Sequence, residues 1–381
     1  MQNLKRYFFT ITAIIIAHIA FSQGNVTLPP SGGNQKAEVS QWIGLVKVTI
    51  NYSSPDVSAP DGTDRKGKIW GQLVPYGMTN LGFGTAKEGP WRAGANEGTI
   101  FSVSHDVMIE GKKLPAGNYG LHMIAQPEGK PWTIIFSNNS TAWGSFYYDP
   151  AEDALRVDVT PVKNEYQEWL TYEFEDRQPS SCVASLQWEN LKIPFKIEVG
   201  DMNEMYFQNM KKELQTIPGF SWQGYNTAAN FCIQNNFHLD QALVWADAAI
   251  SMPFVGQENA ITLMTKSNVL SQMGKTEEAQ TYQEKAVYHP AAQAIFIHNY
   301  GRQLISQGNL DKALEIFELN AERNPDAWFI GVGFGRVYSA MGKYKKALKY
   351  MEEALVKAPT EFNQNNVKGH IEKLKRGEDI N

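Results

Sequence analysis

The chain has 381 residues, of which 20% are charged and 12% are aromatic, and its formal net charge is −5 at pH 7. This length is sufficient for about two domains, each with its own hydrophobic core. The mildly acidic balance and the lack of a Lys/Arg stripe argue against nucleic acid as a partner.

Residues 1–22 have the pattern of a secretory signal peptide. Lys5 and Arg6 precede an apolar run of about 15 residues, shorter than the roughly 20 that a membrane-spanning helix needs. Small residues at the end of this run predict cleavage before Gln23, and an uncleaved anchor helix is the alternative. We therefore expect an exported protein, periplasmic or secreted, without a transmembrane span after cleavage.

From residue 41 to residue 200 apolar residues alternate with polar ones. Successive side chains on a strand point to opposite faces of a sheet, so this period of two predicts half-buried strands. Turn residues such as Glu110-Gly111-Lys112 separate the runs. Residues 41–200 are therefore predicted to form an antiparallel β-sandwich or jelly roll, preceded by a flexible lead at residues 23–40.

The second half of the chain has a helical pattern that repeats. Residues 201–220 are predicted to be a connecting helix, and residues 221–376 repeat with a period of 34 residues, which is that of the tetratricopeptide repeat (TPR). We expect about four helical hairpins, the first of them degenerate, and a closing helix. The repeat-defining positions are the glycines Gly274, Gly308 and Gly342, the alanines Ala279, Ala313 and Ala347, and the prolines Pro325 and Pro359.

Each of these repeated residues has a physical role. Glycine accommodates left-handed backbone where the first helix of a hairpin ends, alanine lets two helices approach closely, and proline ends the second helix. A TPR-like solenoid of at least three hairpins forms a groove, which favours a protein or peptide partner. The alternative is an array that only stabilises the protein or its dimer.

The strand half contains a series of short motifs. They are Gln41-x-x-Gly44, Arg65-x-Gly67, Ile69-Trp70-Gly71, Val74-Pro75-Tyr76-Gly77, Trp91-Arg92-x-Gly94-Ala95-Asn96-Glu97-x-Thr99, Leu114-Pro115-Ala116-Gly117-x-Tyr119 and Tyr148-Asp149-Pro150. With these motifs, the segment from about residue 41 to residue 199 resembles the bacterial domain of unknown function 2911, common in Bacteroidetes. Residues 78–90 depart from the family pattern as an insertion. The resemblance carries no assigned reaction and therefore implies no catalytic residues.

Three polar side chains, Arg92, Asn96 and Glu97, follow Trp91 in this pattern. In one interpretation they line a pocket, where Arg92 binds an anionic group and Glu97 acts as a base or a ligand. In the other, Arg92 and Glu97 form an ion pair and Asn96 holds a turn, because unpaired buried charge is very costly. We expect the second arrangement, and the first stays open.

The metal-ligand candidates of the strand half are His105, Asp106 and His122. His122 is predicted to lie on the face opposite Leu121, away from the core. A zinc site needs three or four converging ligands, and no recognised His spacing occurs. We therefore expect no metal and no cofactor, and His105 and His122 remain candidates for a ligand pocket.

The cysteines and tryptophans have two interpretations each. Cys182 and Cys232 lie in different predicted domains, so they would either form a bridge between domains in an oxidising compartment or pack as small hydrophobes. The tryptophans would either line a carbohydrate platform or fill the sandwich core. The tryptophans in question are Trp42, Trp70, Trp91, Trp132 and Trp143.

Two functional hypotheses fit these patterns. The first is an exported protein-binding or scaffolding module that uses its TPR-like repeats. The second is a small-ligand-binding or hydrolytic sandwich with a polar pocket around Arg92, Asn96 and Glu97. Convergence of those side chains on a titratable neighbour in one cleft would favour the second hypothesis. The sequence leans towards a protein without catalytic activity.

Overall fold

The structure, a computed structural model, describes residues 34–59 and 61–381. The predicted signal peptide and most of the predicted lead lie outside the described residues. The chain divides into two compact units, one ending at Met202 and the other spanning Asn203–Asn381. Along the described residues, no helix combines the length and the apolar character needed to cross a bilayer.

The N-terminal unit contains ten strands in its described part. They are β1 Gln35–Ile43, β2 Val46–Ser54, β3 Thr99–Val103, β4 Val107–Ile109, β5 Lys112–Leu114, β6 Gly117–Ile124, β7 Trp132–Ser137, β8 Asp153–Val159, β9 Val162–Gln178 and β10 Ser181–Val199. A six-stranded sheet has the order β1-β2-β3-β6-β7-β8 and a four-stranded sheet the order β5-β4-β10-β9. Every pairing is antiparallel, which confirms the predicted fold class of this half.

Aromatic side chains of the two sheets meet in a common core. The ring of Phe195 on β10 lies 6.2 Å from that of Phe101 on β3 and 6.0 Å from that of Phe136 on β7. At another point Tyr52 on β2 and Tyr172 on β9 have ring centroids 4.9 Å apart. These contacts join the larger sheet to the smaller one, so the two sheets form a sandwich.

Two local features differ in how well the sequence predicted them. Residues 35–40, predicted to be flexible, belong to the edge strand β1, which pairs with β2 from Gln35 to Ile43. The predicted turn at Glu110 and Gly111 joins β4 to β5. Both residues have positive φ, 48° and 74°, as a two-residue hairpin turn requires.

The C-terminal unit contains ten α-helices and no strand among its described residues. They are α1 Met202–Glu213, α2 Trp222–Gln234, α3 Leu239–Ser251, α4 Ala260–Gln272, α5 Thr276–Tyr288, α6 Ala294–Ser306, α7 Leu310–Arg323, α8 Ile330–Ala340, α9 Tyr344–Lys357 and α10 Glu361–Lys375. Helices α2 to α9 form four consecutive hairpins and α10 closes the array, which confirms the predicted TPR-like solenoid.

The predicted connecting helix is shorter than expected and packs into the array. Helix α1 ends at Glu213, and a short 3-10 helix follows at Ile217–Phe220. Phe207 of α1 is buried in one cluster with Cys232 of α2 and Trp245 of α3. Because α1 shares this core, it is part of the first hairpin's packing.

The repeated glycines lie where the first helix of a hairpin ends. Gly274, Gly308 and Gly342 have φ of 77°, 76° and 71°, a conformation that costs glycine little. In the third hairpin the amide of Gly308 donates to the carbonyl of Ile305, 2.9 Å away. These contacts satisfy helix-end carbonyls and turn the chain into the second helix.

The repeated alanines and prolines occupy the second helices and their ends. Ala279, Ala313 and Ala347 are buried on α5, α7 and α9. Pro325 and Pro359 follow the ends of α7 and α9.

Candidate functional site

Arg92, the centre of the predicted polar pocket, contacts backbone and aromatic groups. Its Nη1 donates to the main-chain carbonyl of Asn96 at 2.5 Å, and its guanidinium lies over the ring of Phe146, 5.1 Å from the centroid. A Cβ on Gly144 would lie 2.6 Å from the guanidinium carbon, so this glycine permits the close packing. Burial lowers the pKa of Arg92. Among the described residues no carboxylate lies within ion-pair distance of Arg92.

Glu97 contacts different residues, so the predicted Arg92–Glu97 pair is wrong. Its carboxylate accepts from the hydroxyl of Ser53 at 3.0 Å and pairs with Lys36 Nζ at 3.2 Å. A hydrogen bond from its own main-chain amide, followed by the bonds from Ser53 and Lys36, lowers the pKa of Glu97. The pair with Lys36 is solvent-exposed and contributes little to stability.

Asn96 holds a turn, as the second interpretation expected. Its φ is 54°, a left-handed conformation that asparagine adopts more readily than most residues. Its side-chain carbonyl accepts from Asn34 Nδ2 at 2.9 Å. The main-chain carbonyl of Asn96 therefore faces Arg92, while the side chain of Asn96 bonds to Asn34.

His122 is buried, although the sequence predicted that it points away from the core. Its Nδ1 lies 2.9 Å from Ser145 Oγ, and its ring packs edge-on against Tyr148 at 5.5 Å. Residues 143–148 cover this face of β6, which period-two alternation does not reveal. Burial, with a smaller contribution from the Arg92 charge, lowers the pKa of His122 to about 4.

The predicted insertion at residues 78–90 packs on the same covering segment. The amides of Thr85 and Ala86 donate to the carbonyl of Phe146 at 3.0 and 3.1 Å, and the rings of Phe83 and Phe146 lie 5.5 Å apart. A Cβ at Gly84 would come within 2.1 Å of the Phe146 carbonyl oxygen, and Gly84 has φ of 83°. The insertion thus adds a second layer over His122.

His105 lies beyond the opposite end of β3 from Glu97. It is exposed and bonds Ser104 Oγ at 2.9 Å, while the neighbouring Asp106 pairs with Lys113 at 2.8 Å. Within the described residues, no group of three or more His, Cys, Asp or Glu side chains could hold a metal ion. The five candidates Arg92, Asn96, Glu97, His105 and His122 therefore do not converge on one site.

The tryptophans divide between surface and core. Trp42 and Trp143 are exposed. Trp70 contacts the rings of Trp91 and Trp132, with centroids 5.8 and 5.2 Å apart. The core interpretation therefore holds for Trp132, which is 2% exposed, whereas Trp70 and Trp91 are only partly buried.

In the helical unit, the first helices of the third and fourth hairpins and the closing helix carry a row of two arginines and one histidine, here called the basic row. Arg302 on α6, Arg336 on α8 and His370 on α10 are spaced by 34 residues, from 302 to 336 and from 336 to 370. Arg302 is exposed, and within the described residues it has no ion pair. Burial, and after it the charge of Arg302, lowers the pKa of Arg336. Arg336 Nη2 lies 3.2 Å from His370 Nε2.

Residues 379–381 lie against this basic row. Arg336 Nη1 donates to the carbonyl of Ile380 at 3.2 Å, and the side chain of Ile380 is only 3% exposed. The hydroxyl of Ser339 donates to the Asp379 carboxylate at 2.6 Å, and Asn381 Nδ2 donates to the carbonyl of Arg336 at 3.0 Å. A cavity of about 590 Å³ lies between this segment and α6. The row therefore already holds a short acidic segment.

Comparison with known families agrees with this description. Residues 34–197 match the family of proteins of unknown function named DUF2911, and residues 260–288 and 332–355 match the tetratricopeptide repeat. The chain joins a DUF2911 domain to TPRs. Both resemblances predicted from the sequence are thus confirmed. No curated protein matches the chain.

Several solved structures are similar to the chain. YrrB, a TPR protein with an unusual peptide-binding site, is 21% identical with a TM-score of 0.33, over 44% of this chain and 84% of YrrB. MamA is 19% identical with a TM-score of 0.31, over 41% of this chain and 88% of MamA. The C-terminal part of a TPR protein from Cytophaga hutchinsonii is 15% identical with a TM-score of 0.37, over 46% of this chain and 67% of that protein's chain.

The sequence did not single out the basic row of the TPRs. A signal was present, because Arg302, Arg336 and His370 share the spacing of the repeat glycines. No comparable pattern marks Asp379 or Ile380, since their contacts depend on how residues 377–381 fold back onto α8.

Proposed function

We propose that the chain is an exported protein-interaction module whose TPRs bind an extended acidic segment of a partner protein. One observation carries the proposal: Arg336 donates to the carbonyl of Ile380, Ser339 donates to the carboxylate of Asp379, and an apolar cluster that includes Ile371 buries the side chain of Ile380. These groups recur in any acidic peptide that carries an aliphatic residue. The same surface therefore has the chemistry to bind such a segment of another chain.

Charge supports an acidic occupant. Arg302 and Arg336 place two guanidinium groups near each other, and Asp379 is the acidic residue beside them. Arginine suits this role because its planar fork donates to carboxylates and carbonyls together. A partner segment with a second carboxylate would reach Arg302, and residues 379–381 leave Arg302 without an ion pair. Such a segment would compete with residues 379–381 for Arg336.

A peptide-binding experiment tests this proposal. A chain that ends at Arg376 is titrated with a labelled peptide that has the sequence of residues 377–381, and affinity is measured by fluorescence anisotropy. We expect saturable binding that Arg336→Gln weakens by about tenfold or more, because a hydrogen bond from a charged donor is lost. A peptide carrying Asp379→Asn is expected to bind less tightly.

The matched control is Lys349→Gln, which removes one exposed cation from α9, the second helix of the fourth hairpin. It is expected to leave peptide affinity unchanged. Equal binding of the peptide by the Arg336→Gln chain would show that the basic row does not recognise the segment, and would overturn the proposal.

Export is the second part of the proposal, and it rests on the pattern of residues 1–22. Sequencing the N-terminus of the chain recovered from the periplasm or the medium tests it. The expected mature chain begins at Gln23. Recovery of an uncleaved chain in the cytoplasm would contradict export.

A further inference from the structure

The N-terminal sandwich has a cleft that the functional hypotheses above do not use. It encloses about 600 Å³ between the β6–β7 connection, the β8–β9 connection and β10. Its walls combine the rings of Trp70, Tyr76 and Trp132 with the side chain of Glu189. A concave site with aromatic walls and a few polar groups is the usual form of a small-molecule site.

Glu189 is an unusual residue to find in this wall. It is only 5% exposed, and Oε1 accepts a hydrogen bond from the amide of Gly67. Among the described residues no cation lies within 4 Å of its carboxylate, which is a costly arrangement for a buried charge. Apart from the Gly67 amide, which bonds Oε1, no hydrogen-bond donor to this carboxylate is found among the described residues.

The backbone at Glu189 is irregular as well. The pairing of β10 with β9 shifts register on both sides of this residue, and its φ is 54°. Such bulges re-aim a side chain and often lie beside functional sites. A residue with a Cβ is strained in this left-handed conformation. Packing alone requires neither a charged side chain nor a left-handed backbone at this position.

Trp70, which lines the same cleft, carries an unsatisfied hydrogen-bond donor. Its Nε1 is buried and has no hydrogen-bond partner among the described residues. By contrast, the indole of Trp132 donates to the carbonyl of Gln126 at 2.8 Å. The ring of Trp70 is held by edge-on contacts with Trp91, Trp132 and Trp188, so it cannot turn easily to find an acceptor.

We infer that this cleft binds one ring of a saccharide. A sugar ring has an apolar C–H face that packs on aromatic rings, and its hydroxyl groups both donate and accept hydrogen bonds. One hydroxyl would donate to Glu189 Oε2 and another would accept from Trp70 Nε1. An organic cation would satisfy the carboxylate but would leave the indole donor unpaired, and Lys130 and Lys163 on the lining disfavour it.

The test uses the full chain on an array of immobilised glycans, followed by calorimetry with the free saccharide that binds. We expect saturable binding of at least one glycan. Glu189→Gln keeps an acceptor for the Gly67 amide and removes the charge, and is expected to weaken binding by about tenfold or more. Trp70→Phe keeps an aromatic ring without the N–H and is expected to weaken binding as well.

The matched control is Glu165→Gln, an exposed carboxylate on β9 outside the cleft lining, which should leave affinity unchanged. Thermal unfolding verifies that each variant folds, and Glu189→Gln decides the result if Trp70→Phe does not fold. The inference is overturned by any of three results: no glycan binds, Glu189→Gln binds as tightly as the original chain, or choline binds where saccharides do not.

Discussion

Arg336 of α8 donates a hydrogen bond to the main-chain carbonyl of Ile380, and its other terminal nitrogen lies 3.2 Å from His370 Nε2 of α10. For His370 to accept this bond, Nε2 must be unprotonated. Burial, and after it the charge of Arg336, lowers the pKa of His370 to about 4, so the ring is neutral near pH 7. One side chain thus links α8, α10 and residues 379–381.

The first prediction concerns this link. Arg336→Gln should free residues 379–381, because the charged donor to the Ile380 carbonyl is lost. We expect the Ile380 amide, which now donates to Ser339 Oγ at 3.2 Å, to exchange its hydrogen much faster. Native-state hydrogen exchange measures this change. Lys349→Gln is the control, and unchanged protection in Arg336→Gln would contradict the assigned role.

The second prediction concerns pH and His122. The pKa is about 4 in the folded protein, against about 6.5 for an unperturbed histidine. The stability from the neutral ring is therefore fully present above pH 6.5 and is lost as pH falls towards 4. Since the side chain is almost fully buried, the loss amounts to about 3 kcal/mol.

Urea unfolding of the N-terminal unit between pH 7 and pH 4.5 measures this effect. His122→Gln should lose less stability than the original chain over that range, because its side chain takes up no proton. His105→Gln, which changes an exposed ring, should follow the original chain. Parallel curves for His122→Gln and the original chain would show that His122 does not carry the dependence.

The third prediction compares two glycines of the helical unit. Gly342 has φ of 71° and Gly369 lies inside α10, and a Cβ added at either position meets no atom within 4 Å. Gly342→Ala should destabilise the unit by about 1 kcal/mol, because alanine is strained at positive φ. Gly369→Ala should stabilise it by about 0.5–1 kcal/mol, because alanine is the better helix former. Chemical denaturation gives both values, and shifts of the same sign would refute the conformational explanation.

The fourth prediction concerns the join between the second and third hairpins. Arg323 at the end of α7 donates to the carbonyls of Tyr288 at 2.9 Å and His289 at 3.1 Å, where α5 ends. A cation at a helix C-terminus is stabilising, so Arg323→Gln should reduce the free energy of unfolding by about 1 kcal/mol. Thermal unfolding measures it, with the exposed Lys345→Gln as control. Equal losses in the two variants would argue against a capping role.

Periodicity revealed most of the architecture. The alternation around Val48 and Leu121 marks strands because every second side chain is apolar and faces the sandwich core, and the 34-residue spacing of Gly308 and Gly342 marks hairpins because each needs one left-handed residue. Strand β1 was missed because it is an edge strand that buries little of its length. Its exposed residues Lys36 and Glu38 are compatible with a loop.

The candidate site was less predictable from sequence. Whether Arg92 pairs with Glu97 depends on the left-handed turn at Asn96, which directs the two side chains to different partners. Burial of His122 depends on residues that follow it by more than twenty positions, such as Ser145. Local alternation contains no information on contacts of that range.

The reactivity of the two cysteines measures how often each unit of the protein opens locally. Cys182 lies on β10 and Cys232 on α2, both unpaired and almost fully buried, and burial raises the pKa of each thiol to about 11. A thiol-specific reagent can modify either one only after the surrounding core opens. Each unit holds one of these cysteines. Mass spectrometry of the two labelled peptides would therefore measure the rates of local opening of the sandwich and of the repeats in a single sample.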